Sequence, residues 1–129
     1  MAWIELVSLI ALLQYLVFGA LVGQARVKYG VKAPSTTGHE MFERVYRVQM
    51  NTLELLVVFL PALWMAARYL SPVWVAAVGA VYVLGRVVYY RAYAREPRTR
   101  SLGYMLSAGP VAVLLAVVGV GLVRGVLGL

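Results

Sequence analysis

Four apolar stretches, each about long enough to cross a bilayer, leave this chain few ways to fold. The first runs from Leu6 to Gly23, with Ser8 and Gln14 as its polar residues. The second runs from about Val45 to Tyr69 and contains Pro61. The third, about Val73 to Tyr93, contains Arg86, and the fourth, Leu102 to Val123, carries no charge but includes Pro110. In hydrocarbon every backbone N–H and C=O must be paired inside the protein, so stretches of this kind become helices, and proline is tolerated where neighbours satisfy the freed carbonyl. The expected fold is all-α, a transmembrane four-helix bundle forming one domain over residues 1–129. Composition agrees: 63% of residues are hydrophobic, 13% charged, and mean hydropathy is +0.83, whereas a soluble domain is roughly a quarter charged. No basic segment precedes the first stretch and no clear small-residue cleavage site follows it, which reads as a retained span rather than a signal peptide. Ser71-Pro72 make a tight turn, with Pro72 at a first helical position.

The connections set topology. Residues 24–40 (QARVKYGVKAPSTTGHE) read as a loop with Arg26, Lys28 and Lys32, and Arg44 and Arg47 stand at its far edge. Residues 91–100 (RAYAREPRTR) hold Arg91, Arg95, Arg98 and Arg100, while the second connection has Arg68 and the C-terminal end Arg124. By the positive-inside rule the first and third connections face the cytoplasm and both termini lie opposite. The arginine-rich, lysine-poor composition and short loops point to a prokaryotic inner membrane. A net charge of +7 and a pI near 10.1 could indicate nucleic acid. These charges lie between apolar runs, however, so topology, anionic lipid and anionic ligands account for them without a nucleic-acid partner. The absence of cysteine excludes disulfides, thiolate metal sites and a cysteine nucleophile, and the single histidine, His39, excludes a histidine cluster within one chain. Glu5, Glu40, Glu43, Glu54 and Glu96 are too few for a metal or glycosidase site, and no glycine-rich phosphate loop or GxSxG motif is present.

Two polar stripes break the apolar pattern. At about 100° per residue, Arg44, Arg47, Asn51 and Glu54 fall within roughly 80° of arc on the second helix, with Gln49 on the opposite side. Arg47 and Glu54, two turns apart, could simply neutralise each other. Equally, ionisable groups in a span cost ~2.5–3.5 kcal/mol on insertion scales and usually mark an interior-facing functional site. Gln49 on the other face points to a second protein surface, as in an oligomer. On the third helix Tyr82, Arg86, Tyr89 and Tyr93 share one face, with Tyr90 nearby. They are either an interfacial aromatic belt or a wall of donors for an anionic ligand. Arg95, Arg98 and Arg100 could be topology signal and headgroup contacts alone.

Residues 42–54, FERVYRVQMNTLE, resemble the hallmark segment of the MAPEG superfamily, the membrane-associated proteins of eicosanoid and glutathione metabolism. The segment PSTTGHEMFERVYR is similar to the first loop of the family's leukotriene-forming synthase branch, and GAVYVLGRVVYYRAYAREPRTRSLGY resembles the third helix and following loop of that synthase and of microsomal glutathione transferases. The resemblance covers roughly residues 24–106; the first and last helices match in hydropathy and position. It implies a left-handed four-helix bundle assembled as a homotrimer, with glutathione bound between neighbouring subunits near the cytoplasmic face. The implied glutathione contacts are Arg26, Arg47, Gln49, Asn51, Glu54, Tyr89, Tyr93 and Arg95, and the implied thiol-activating residue is Arg100. Val27 stands where the synthase has a second arginine, and Leu55 where the family has an aromatic residue. The family's non-catalytic relative lacks the arginine at the Arg47 position, which this chain keeps.

The resemblance implies a chemistry that suits these residue types. Arg26, Arg47 and Arg95 offer forks to the two carboxylates of glutathione, Glu54 can take its ammonium, and Asn51 and Gln49 supply orientation. Arg100, always protonated, stabilises a thiolate electrostatically rather than acting as a base. The thiolate attacks a hydrophobic electrophile delivered from the bilayer. The expected function is a detoxifying glutathione transferase, with hydroperoxide reduction as an added activity. The alternatives are a non-enzymatic glutathione or lipid binder and a small four-helix drug exporter. Such exporters carry a key glutamate in the first span, where Gln14 is the polar residue of note here.

Overall fold

A computed structural model describes all residues, 1–129. It consists of α1 (Ala2–Tyr29), α2 (Glu40–Ala66), α3 (Pro72–Arg95) and α4 (Ser101–Val126), with a short 3-10 turn at Pro97–Thr99 before α4. All four helices are long and apolar enough to span a membrane, and with the short connections they alternate in direction. The chain is a multi-pass membrane protein of all-α architecture.

Helix ends depart from the hydropathy reading. α1 continues past Gly23 to Tyr29, so the first connection is residues 30–39, not 24–40, and Arg26 and Lys28 occupy the last turn of a helix. α2 begins at Glu40 and ends at Ala66 rather than spanning Val45 to Tyr69, and α4 extends to Ser101–Val126. Hydropathy marks the stretch that contacts lipid, while the hydrogen-bond ladder runs on into the polar interface until something caps it. For α1 the cap is Gly30, which takes the left-handed conformation (φ 69°) and closes the last turn onto the Arg26 carbonyl. For α2 it is the lone histidine. His39 Nδ1 accepts from the Met41 N–H at 3.1 Å, and the ring stacks on Tyr29 at 4.3 Å, closing the connection on itself. Glu40 and Glu43 in the first turn suit the positive end of the helix.

The core lies between the helices, and the outside is as apolar as the inside. Ile4, Val7, Phe59, Leu63, Val75 and Leu114 are buried, while Leu16, Val57, Trp74 and Met105 stand exposed where lipid would meet them. Since lipid tails are as apolar as leucine, association rests on close packing and interhelical hydrogen bonds. Gly103 lets α4 lie directly on the Tyr89 backbone, and Gly85 lets α3 approach the Leu106–Ser107 backbone. Pro110 denies the Leu106 carbonyl its intrahelical donor, and that carbonyl faces Gly85. Polar ties complete the bundle. The Gln14 amide donates to the Val83 carbonyl at 2.9 Å, joining α1 to α3. The Trp64 indole N–H donates to the Ser8 hydroxyl at 2.9 Å, and that hydroxyl donates to the Ile4 carbonyl at 2.7 Å.

Candidate functional site

At the end of the bundle where α2 and α4 begin and α3 finishes, Arg47, Asn51, Tyr89, Tyr93, Arg100 and Tyr104 line a cleft of about 450 Å³. Local sequence explains each position. Arg47 and Asn51 are one turn apart on α2, and Tyr89 and Tyr93 one turn apart on α3, where their rings stack at 5.5 Å. Arg100 is carried by the turn between α3 and α4. The Thr99 hydroxyl holds that turn over the α3 terminus through the carbonyls of Ala92 (3.1 Å) and Glu96 (2.7 Å), and Arg100 Nη1 donates to the Pro97 carbonyl at 3.2 Å. Arg44 joins the same end: Nη1 donates to the carbonyls of Ala94 (3.3 Å) and Arg95 (3.1 Å) at the α3 terminus, while Nη2 pairs with Glu40.

The lining holds two guanidiniums, one amide and three phenols, with no carboxylate. Such a set is a receptor for anionic and hydrogen-bond-accepting groups. Glu54 lies at its edge, paired with Arg47 at 3.3 Å, both side chains about half exposed. The ion pair foreseen between these two residues is therefore formed, and Arg47 still reaches the cleft. A larger, mainly apolar groove of about 620 Å³ lies along Tyr69, Val113, Val117 and Val120 toward the opposite end, with Arg124 as its one charge. Polarity, not size, singles out the cleft as a chemical site.

Behind the cleft sits Arg86, fully buried. Its Nη1 donates to Asn51 Oδ1 at 2.7 Å and to Thr52 Oγ1 at 3.3 Å, its Nε donates to Ser107 Oγ at 2.8 Å, and its guanidinium lies 4.3 Å from the centre of the Tyr89 ring. Each hydroxyl in turn donates a hydrogen bond to a carbonyl one turn back, Thr52 to Val48 at 2.8 Å and Ser107 to Gly103 at 2.7 Å. One cation thus ties α2, α3 and α4 together without a carboxylate. The α3 stripe is divided by its surroundings: Tyr89 and Tyr93 line the cleft, while Tyr82 is sealed in the core, stacked on Phe59 at 3.8 Å.

The sequence-expected residues fall into separate groups. Arg47, Asn51, Tyr89, Tyr93 and Arg100 converge on the cleft, with Glu54 attached through Arg47. Arg26 does not join them; it donates to the Ser35 carbonyl at 2.6 Å, covers the Phe42 ring at 4.7 Å, and borders a different hollow with Val31 and Lys32. Gln49 lies against Gly19 of α1 in the same chain, so α1 covers part of the face on which the sequence reading placed a second subunit. Arg95 is exposed and offers its carbonyl to Arg44. Tyr104 is a cleft residue that the sequence reading did not single out.

The MAPEG family model matches residues 4–120. The chain belongs to the MAPEG family. Among its relatives, human microsomal glutathione S-transferase 2 is 37% identical over 121 residues, covering 94% of this chain and 82% of the relative. Leukotriene C4 synthase of Cavia porcellus is also 37% identical over 121 residues, covering 94% and 81%. An uncharacterized protein of Synechocystis sp. is 47% identical over 117 residues, covering 91% and 84%. The MAPEG match includes α1 and most of α4, helices that resembled the family only in hydropathy and position.

Proposed function

We propose that this MAPEG chain is a membrane-embedded glutathione transferase that conjugates glutathione to hydrophobic electrophiles. The observation that carries the reading is the convergence of Arg47, Asn51, Tyr89, Tyr93 and Arg100 on one carboxylate-free cleft. The names of its relatives, microsomal glutathione S-transferase 2 and leukotriene C4 synthase, support the same chemistry.

In this mechanism Arg47 takes a glutathione carboxylate and Glu54, beside it, takes the ammonium. Asn51 and the phenols of Tyr89 and Tyr93 orient the peptide. A free thiol has a pKa of ~8.5, and each unit by which the site lowers it corresponds to ~1.4 kcal/mol. Arg100 supplies that stabilisation as a fixed positive charge, and the thiol proton leaves to solvent. The thiolate sulfur then forms a bond to the electrophilic carbon, and the displaced pair leaves on the leaving group or on a ring oxygen that solvent protonates. With a hydroperoxide the sulfur attacks the distal oxygen, releasing an alcohol; a second glutathione then yields the disulfide and water. Detoxification of lipid-soluble electrophiles is the role that fits.

Arg26 and Gln49 lie on the α1 side of α2, away from the cleft. A closed ring of copies, in which each chain's α1 side meets the next chain's cleft, gives them a part in binding; a homotrimer is the proposed assembly. Covering the exposed Arg100 in this way lowers the local dielectric, where a fixed charge acts more strongly. The basic end faces the cytoplasm by its arginine content, and an inner membrane is the proposed location. Isothermal titration of detergent-solubilised protein with glutathione and with unrelated thiols, followed by an electrophile screen, tests the reading. Saturable glutathione binding that weakens in Arg47→Ala, with conjugate formation, is expected. Glutathione binding without turnover of any electrophile or hydroperoxide would reduce the chain to a binder.

A further inference from the structure

We infer that Arg86 is a positioning residue that locks the Asn51 side chain so its amide N–H₂ group, not its oxygen, faces the ligand. This inference rests on the glutathione reading of the cleft. An asparagine amide has one accepting and one donating end, and which end faces a ligand decides what it can recognise. Arginine carries donors only. The 2.7 Å contact from Arg86 Nη1 therefore requires Asn51 Oδ1 on the buried side and turns Nδ2 the other way. Asn51 Nδ2 has no hydrogen-bond partner within the chain, yet it is not among the sealed polar atoms that lack one, so it is accessible, and the residue lines the cleft.

Arg86 is itself held from three helices through Nε, Nη1 and its π contact, while its buried Nη2 has no hydrogen-bond partner. Ser107 holds Nε from α4, Thr52 and Asn51 hold Nη1 from α2, and the Tyr89 ring lies against the guanidinium on α3. No rotation of the guanidinium preserves these contacts, so the amide orientation is fixed before ligand arrives. Preorganisation of this kind lowers the ordering cost of binding. Asn51 Nδ2 then donates to an acceptor of glutathione, a carbonyl or carboxylate oxygen or the thiolate. Arg86 acts only through Asn51 and the Tyr89 ring; buried behind them, it does not reach the ligand.

The test is a double-mutant cycle read as glutathione affinity. Arg86→Lys keeps the charge but loses the planar fork that serves Ser107 and Asn51 together. Asn51→Ala and Arg86→Lys should each weaken glutathione binding about tenfold, the scale of one lost hydrogen bond to a charged group. The double variant should be no more than about twofold weaker than Asn51→Ala alone, because both changes remove the same donor. Leu114→Ala, a core truncation elsewhere, should lower the melting temperature and leave affinity unchanged. Multiplicative losses in the double variant, or an Arg86→Lys protein that melts lower with wild-type affinity, would overturn the positioning role. Asn51→Asp covers the case in which Arg86→Lys does not fold. It keeps an acceptor for Arg86 and replaces the cleft-facing donor with an acceptor, so affinity should fall at least about tenfold with no loss of melting temperature. Wild-type affinity in Asn51→Asp overturns the inference. A wild-type protein that binds no glutathione overturns the reading beneath it as well.

Discussion

A methyl group on Gly103 would lie 2.4 Å from both the Cα and the N of Tyr89, where ordinary van der Waals contact begins at 3.4 Å. The obstacle is backbone, so no rotamer change relieves it. In Gly103→Ala, α4 must move off α3 by about 1 Å in this region, since a packed interior has no slack to absorb the group. Overpacking of this kind costs typically ~1–3 kcal/mol. A functional cost comes with it, because Gly103 lies between Arg100 and Tyr104 on the α4 side of the cleft while Tyr89 and Tyr93 form the α3 side. Misplacement by ~1 Å can cost on the order of 10²-fold in rate, so conjugation should fall roughly 10- to 100-fold. The assay is conjugate formation at fixed glutathione with a hydrophobic electrophile, beside thermal melting of the same preparation. Gly109→Ala is the control: on the same helix, with nothing within 4 Å of the added carbon, it should keep activity and melt no lower. If Gly103→Ala matches Gly109→Ala in both measurements, the close α3–α4 contact does not set the cleft geometry and the reasoning fails.

Tyr104→Phe removes one phenol from the cleft lining and should cut the glutathione-dependent rate about tenfold without lowering the melting temperature; an unchanged rate places Tyr104 outside the machinery. Glu54→Gln breaks an exposed ion pair with Arg47, so stability should change by less than about 1 kcal/mol, while calorimetry should show glutathione affinity down about tenfold. Gln14→Leu removes the α1–α3 bond to the Val83 carbonyl. Interhelical hydrogen bonds in membranes average ~0.6 kcal/mol, so melting should shift only slightly and turnover should stay at the wild-type rate.

The four helices were legible because hydrocarbon leaves a mainly apolar run of this length no other structure. Their ends were less so. Gln24–Tyr29 is polar and reads as loop, yet it stays helical until Gly30 because hydropathy reports lipid contact and not hydrogen bonding. At the site, Arg47, Asn51, Tyr89 and Tyr93 could be placed on two stripes by helical phase, and Arg100 by family resemblance. Tyr82 shares the phase of Tyr89, but it lies nearly two turns deeper, where Phe59 closes over it. Depth along a helix does not show in angular arithmetic. Tyr104 escaped notice because the turn at Pro97–Thr99 resets the helical phase between α3 and α4. Arg86 was visible as a charge in a span, but its partners come from α2 and α4, and only the packed bundle shows which cleft residue it holds.

Thiolate formation is the step on which the account turns, and ultraviolet difference spectroscopy of purified protein titrated with glutathione reads it directly. The wild type should show a saturable rise in thiolate absorbance near neutral pH, where a free thiol of pKa ~8.5 is mostly protonated. In Arg100→Ala the rise should vanish while calorimetry still detects glutathione held by Arg47, Asn51 and Glu54. A rise of wild-type size in Arg100→Ala would contradict the assignment of Arg100, and no rise in the wild type would contradict thiol activation in this cleft altogether.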